Sequence, residues 1–104
     1  MLKLGFYVPD SHVEQVKTAL FAVGAGRIGN YDSCCWQVQG MGQFRPLAGS
    51  NPHLGQQGRV EQVVEWRVEL VLEDQLLKPV MAALRASHPY DEPAYDVVPL
   101  LAVD

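Results

Sequence analysis

Residues 2–24, LKLGFYVPDSHVEQVKTALFAVG, decide the fold, because one strand and one helix are written there with punctuation at both ends. Leu2, Leu4, Phe6 and Val8 alternate with Lys3, Gly5 and Tyr7, the period of a half-buried strand, and Pro9 ends it. Ser11 and Glu14 stand in the S-x-x-E spacing of a capping box, which predicts the helix start. Val13, Val16, Leu20 and Val23 then recur at helical spacing, and Gly24 is placed to close the helix.

The same phrase returns 64 residues later. Residues 4–8 align with 68–72, and the helices match at Asp10/Asp74, Val16/Val80, Ala19/Ala83, Leu20/Leu84 and Ala22/Ala86. Val64, Trp66, Val68, Leu70 and Leu72 fall on one face of a strand over 63–72, and Leu77, Val80, Met81 and Leu84 describe the second amphipathic helix. Pro79 aligns with Gln15 in the first helical turn, where a missing N–H costs little. Between the copies, two short strands are expected at 34–39 and 41–46, joined around Gly40 as a glycine-rich β-hairpin, with a loop over 47–58. A last strand over 94–101 carries Pro99 and belongs at a sheet edge. Two β-α-β units on a shared antiparallel sheet make a ferredoxin-like α+β fold, one domain over residues 1–104.

Composition narrows the function. Eight Lys and Arg against twelve Asp and Glu leave a net charge of −4, and the basic residues are scattered, so a nucleic-acid groove is not expected. No run of about 18 apolar residues spans a membrane. The apolar start lacks the basic n-region and cleavage site of a signal peptide, so a cytoplasmic location is expected. Cys34 and Cys35 are neighbours, which suits one buried and one exposed thiol better than a disulfide or a zinc site.

Three segments carry polar or glycine-rich patterns. Gly24-Ala25-Gly26-Arg27-Ile28-Gly29 matches G-x-G-x-x-G, but it follows a helix and leads to a strand, the reverse of a dinucleotide site. It reads as a C-cap and turn whose backbone could meet a ligand. Residues 40–55 hold Gly40, Gly42, Gly49 and Gly55 in a long connection, a pattern that suits contact with a ligand or a second subunit. His88-Pro89-Tyr90-Asp91-Glu92-Pro93-Ala94-Tyr95-Asp96 places an imidazole, carboxylates and phenols between a helix end and a strand, and Pro89 and Pro93 limit its conformations. His88 and Asp91, with His53 from the other loop, are candidate metal ligands. Against this, His88 suits a helix C-terminus, and Asp91 and Glu92 suit a turn. G-x-S-x-G, H-E-x-x-H and P-loop motifs are all missing.

Together, residues 26–31 (GRIGNY), 40–47 (GMGQFRPL) with 49–52 (GSNP), and 88–96 (HPYDEPAYD) resemble the PII-like domain of the NGG-interacting-factor-like (Nif-three-like) family, over nearly the whole chain. The chain looks most like short bacterial proteins made of that domain alone. Residues 88–93 are also similar to the H-P-Y-E-x-P stretch of CutA-type proteins, with Asp91 in place of Glu. The resemblance implies a PII/CutA-like fold and homo-oligomers, trimeric or dimeric, and lends weight to a divalent metal as the cofactor. The metal ligands of larger Nif-three-like proteins lie in flanking domains that match nothing here, so their suspected hydrolase-like activity does not carry over.

The expectation is a homo-oligomeric module that binds a small anion, metabolite or metal ion, with no catalysis of its own. Its ligand-binding residues would be Gly26, Gly29, Asn30, Tyr31, Gly42, Phe44, Asn51, His88, Tyr90, Glu92 and Tyr95. The alternatives are a protein–protein interaction module, or an enzyme with Cys34 or Cys35 as nucleophile.

Overall fold

In the computed structural model, which describes residues 1–103, the alternation of the first strand becomes β1 (Leu2–Pro9) with Leu4, Phe6 and Val8 fully buried. The chain continues through α1 (Val13–Ala22), β2 (Trp36–Phe44), β3 (Glu61–Leu72), α2 (Leu77–Ser87) and β4 (Tyr95–Pro99). The strands form one antiparallel sheet in the order β2-β3-β1-β4. Leu4 lies opposite Leu70 and Phe6 opposite Val68. With Val16 and Leu20 of α1 and Val80 and Leu84 of α2, these residues make the core between the helices and one sheet face.

The duplication holds to the residue at the helix starts, Val13 and Leu77. Each helix is entered through one 3-10 turn, Asp10–His12 and Asp74–Leu76, and the two turns are again 64 positions apart. Each turn's aspartate reaches the other unit: Asp10 accepts the Trp66 indole N–H at 2.7 Å, and Asp74 accepts the amino terminus. Pro79 sits third in α2, inside the first turn, where no hydrogen bond to an earlier helical carbonyl is lost.

Two local expectations fail. The capping box does not form, because the 3-10 turn takes the backbone into α1. The Ser11 hydroxyl instead meets His12 Nδ1 at 2.7 Å, and Glu14 pairs with Lys17 at 2.9 Å. The chain does not turn at Gly40 either. Gly40 pairs with Glu65 inside one nine-residue strand, so the hairpin is made by β2 and β3 with the 45–60 connection between them. The positive φ angles that turns require fall instead at Gly49, Gly55 and Gly58. Gly24, at φ 102°, closes α1 as expected, with the Ala25 amide reaching back to the Leu20 carbonyl. β4 pairs with β1 alone, and so is an edge.

The sheet's other face carries Lys3 and Tyr7 of β1, Trp36 and Val38 of β2, Glu65, Arg67 and Glu69 of β3, and Asp96 and Val98 of β4. Arg67 makes two bonds to Asp96, at 3.0 and 3.2 Å, and lies over the Tyr7 ring at 5.0 Å. It crosses β1 at Gly5, where any Cβ would strike the guanidinium. Cys34 and Cys35 are both half-buried, rather than one buried and one exposed. Cys35 packs on the core, while Cys34 Sγ points to the Asp32 carbonyl at 3.6 Å.

Candidate functional site

Beyond α2, the chain must cross the end of β1 to enter β4. His88 makes that crossing rigid. Its amide donates to the Leu84 carbonyl at 2.9 Å and closes the helix. Its ring is buried, at 7% exposure. Nδ1 accepts the Tyr90 amide at 3.1 Å, so the ring proton stands on Nε2 and donates to the Tyr7 carbonyl at 2.6 Å. Burial pushes the His88 pKa below that of a free imidazole; the Tyr7 carbonyl opposes this, and the nearby His12 and His53 reinforce it. His88 is therefore neutral near pH 7. The Tyr7 amide completes the tie by donating to the Ala94 carbonyl at 3.2 Å.

Held this way, Tyr90 donates its hydroxyl to Glu65 at 2.8 Å, joining the crossing segment to β3. Desolvation raises the phenol's pKa, and the Glu65 bond and charge raise it further. Glu65 can lie flat because residue 42 is glycine; a Cβ there would fall on its carboxylate. The long β2–β3 connection folds over this platform. The Asn51 amide donates to Asp91 at 3.0 Å, the Gly58 amide to the Pro46 carbonyl at 2.8 Å, and the Ser50 hydroxyl to the Leu47 carbonyl at 2.7 Å. His53 sets its ring edge-on to His12 at 5.3 Å and lies 6.3 Å from Tyr90, while Phe44 stands 6.2 Å from Tyr90.

Between platform and connection lies a cavity of about 680 Å³. Tyr7, Phe44, Pro46, Leu47, Pro52, Leu54, Tyr90 and Ala94 supply its apolar lining, and Arg45, His53, Glu65, Asp91 and Glu92 its charged and polar groups. The volume lies within the roughly 300–1,000 Å³ usual for small-molecule sites.

Of the expected ligand-binding residues, Gly42, Phe44, Tyr90 and Glu92 line this cavity. Asn51 shapes it through its backbone bond to Asp91, and His88 supports it from the core side. Tyr95 stands apart in β4, its hydroxyl accepting from Arg85 at 3.1 Å. Gly26, Gly29, Asn30 and Tyr31 are at the other end of the sheet, where the Gly26 amide bonds Val71 and residues 28–31 make a tight turn closed by two backbone bonds. The expected metal set also comes apart. His53 and Asp91 face the cavity, but both His88 ring nitrogens are engaged inside the protein. Among the described residues no three His, Cys, Asp or Glu side chains gather as a metal ion would need. Tyr7 and Glu65 are site residues that the sequence reading missed. Their only signal was a position on the outward phase of a strand.

No protein-family model matches the chain. It is 45% identical over 100 residues to a GTP cyclohydrolase 1 type 2 homolog of Halalkalibacterium halodurans, covering 96% of this chain and 27% of that protein. The counterpart in Mycobacterium tuberculosis is 47% identical over 95 residues, covering 91% of this chain and 25% of the relative. The chain thus spans about a quarter of the length of the curated relatives it matches. Among solved structures, a Bacillus cereus protein related to NIF3 superposes with a TM-score of 0.81 at 40% identity, over 95% of this chain and 25% of that one. CutA1 from Pyrococcus horikoshii superposes with a TM-score of 0.71 at 18% identity, over all of this chain and 87% of its own. The second likeness shows the fold, and the first shows common descent of a segment. By sequence, then, the chain is related to one segment of the Nif-three-like proteins, and by fold it is a PII/CutA-like domain.

Proposed function

We propose that the chain is a small-ligand-binding regulatory module that works as a homo-oligomer and performs no catalysis of its own. The observation that carries this reading is the cavity between the 45–54 connection and the crossing segment, walled by aromatic rings and holding a few convergent polar groups. Three titratable groups in and behind it are held by structural bonds: His88 by two backbone atoms, Tyr90 by Glu65, and Asp91, through one oxygen, by the Asn51 amide. The cavity also lies away from the two cysteines. β2 opens just after Cys35, opposite Glu69, and the cavity begins at Glu65, roughly 13 Å along the strand at about 3.3 Å per residue. Oligomerisation is supported by the sheet face that leaves Trp36 62% exposed and by β2, an edge strand without lysine or proline.

A thermal-shift screen of small metabolites and divalent ions on wild type and Phe44→Ala tests the binding reading. At least one compound should raise the wild-type melting temperature and lose its effect in the variant. If no compound acts, or both proteins respond alike, the reading fails. Light scattering during size-exclusion chromatography tests the assembly; Trp36→Ser should shift it toward monomer.

A further inference from the structure

We infer that the cavity takes a flat organic cation, an amidine, guanidine or amino-heterocycle, with its charged nitrogen at Glu65 and its ring against Phe44 and Tyr90. This rests on the proposed binding role of the cavity and adds the chemistry of the occupant.

Charge speaks first. Three carboxylates, Glu65, Asp91 and Glu92, line the cavity against one guanidinium, Arg45, and one imidazole, His53. A small anion, which the sequence alone left open, would enter against this field. The acceptors are also fixed in place. Glu65 commits Oε2 to the Tyr90 hydroxyl, and its other oxygen lies over the bare backbone of Gly42 with no hydrogen-bond partner among the described residues. Asp91 commits Oδ2 to the Asn51 amide and keeps Oδ1. Carboxylates anchored through one oxygen present the other to an N–H donor with little reorganisation, and a charged donor makes the stronger bond.

The walls select shape. Phe44 and His53 stand 6.2 and 6.3 Å from the Tyr90 ring and tilt toward it, so the approach to Glu65 is bordered by ring faces and edges. Such faces favour an aromatic body and attract a cation held near them. A bare metal ion would not use the rings, and it would need more oxygen ligands than these anchored carboxylates offer. An aliphatic ammonium would gain the cation–π attraction but bring no ring of its own to set against theirs.

Three isosteres separate these terms: benzamidine, benzamide and benzoate share a ring and differ in charge. Each is titrated into the 15N-labelled chain, and amide shifts of residues 42–54 and 88–94 are followed. Benzamidine should move these amides saturably, benzoate should not, and Glu65→Gln should weaken benzamidine by about tenfold, the worth of one charge-assisted bond of ~1.4 kcal/mol. Glu65→Gln keeps an oxygen for the Tyr90 hydroxyl, and its own amide spectrum reports whether the fold is intact. If benzoate or benzamide moves the same amides as strongly, the cavity binds but the cation inference is overturned. The inference also falls if benzamidine binds Glu65→Gln undiminished or perturbs only other surfaces. If none of the three moves these amides, the cavity reading falls with it.

Discussion

Tyr90→Phe removes one oxygen and leaves the ring, and so isolates the bond that joins the crossing segment to β3. That bond is 2.8 Å long, half-buried, and accepted by a carboxylate. Hydrogen bonds to charged groups contribute about 1.5–3 kcal/mol. Glu65 is only half-buried, so water can recover part of the loss, and the variant should be less stable by about 1–2 kcal/mol at pH 7. For a domain of this size each 1 kcal/mol moves the melting temperature by roughly 4–8 °C, so the shift is easily measured. A pH dependence adds a second signature. The phenol's pKa is raised in the folded state, chiefly by desolvation and then by Glu65, whereas the unfolded phenol ionises near pH 10. The bond's contribution is therefore whole below pH 10 and declines as pH rises above it, because the unfolded chain gains a charge that the folded one resists. Urea unfolding of both proteins at pH 7 and pH 10.8 reads this directly. The gap between them should narrow at the higher pH. A double-mutant cycle with Glu65→Ala should give a coupling of at least ~0.5 kcal/mol. A Tyr90→Phe protein within ~0.3 kcal/mol of wild type, or a gap that widens with pH, would refute the account of this latch.

Gly42→Ala should reproduce much of that loss, about 1–2 kcal/mol, because its Cβ displaces the Glu65 carboxylate while the backbone conformation suits alanine; a normal melting curve would show that Glu65 does not lie over residue 42. His88 has a folded pKa below the free value near 6.5, so its contribution is complete above that pH and is lost as pH falls toward the folded pKa. Unfolding free energies between pH 7.5 and 5 should fall more steeply for wild type than for His88→Gln. Gln37 buries its carbonyl oxygen without a donor among the described residues, so Gln37→Met should be neutral or stabilising by up to about 1.5 kcal/mol in denaturant titration.

Much of the fold could be read because the core uses two simple periods. Leu4, Phe6 and Val8 alternate, Val16 and Leu20 sit one turn apart, and the same pattern recurs around Val68, Val80 and Leu84. Reading failed where one residue type serves two purposes. Gly40 looks like a turn glycine, but it stays extended beside Glu65. Ser11 and Glu14 have capping-box spacing, yet an aspartate-led 3-10 turn takes the helix start in both halves. Local spacing proposes such motifs; the path of the backbone decides them.

The site failed differently, and the reason is topological. The three loop segments share polar or glycine-rich patterns, and each joins the end of one element to the start of another. In a duplicated β-α-β fold whose first and third strands run antiparallel, equivalent loops cannot share an end. The α1–β2 connection leads to Trp36, opposite Glu69 near the finish of β3, whereas the α2–β4 connection leads to Tyr95, opposite Phe6 near the finish of β1. The two connections are counterparts in the repeat, and the antiparallel relation places them at opposite edges of the molecule. Residues 26–31 were therefore separated from residues 88–96 by the offset of 64 that defined the fold. The β2–β3 connection has no counterpart, and it lies at the β1 finish because β2 runs antiparallel to β3. Connection order thus selects residues 42–54 and 88–94 as one site, and strand register adds Tyr7 and Glu65 to it. Composition marked the loops that carry polar groups; only the direction of the strands says which of them can meet the same ligand.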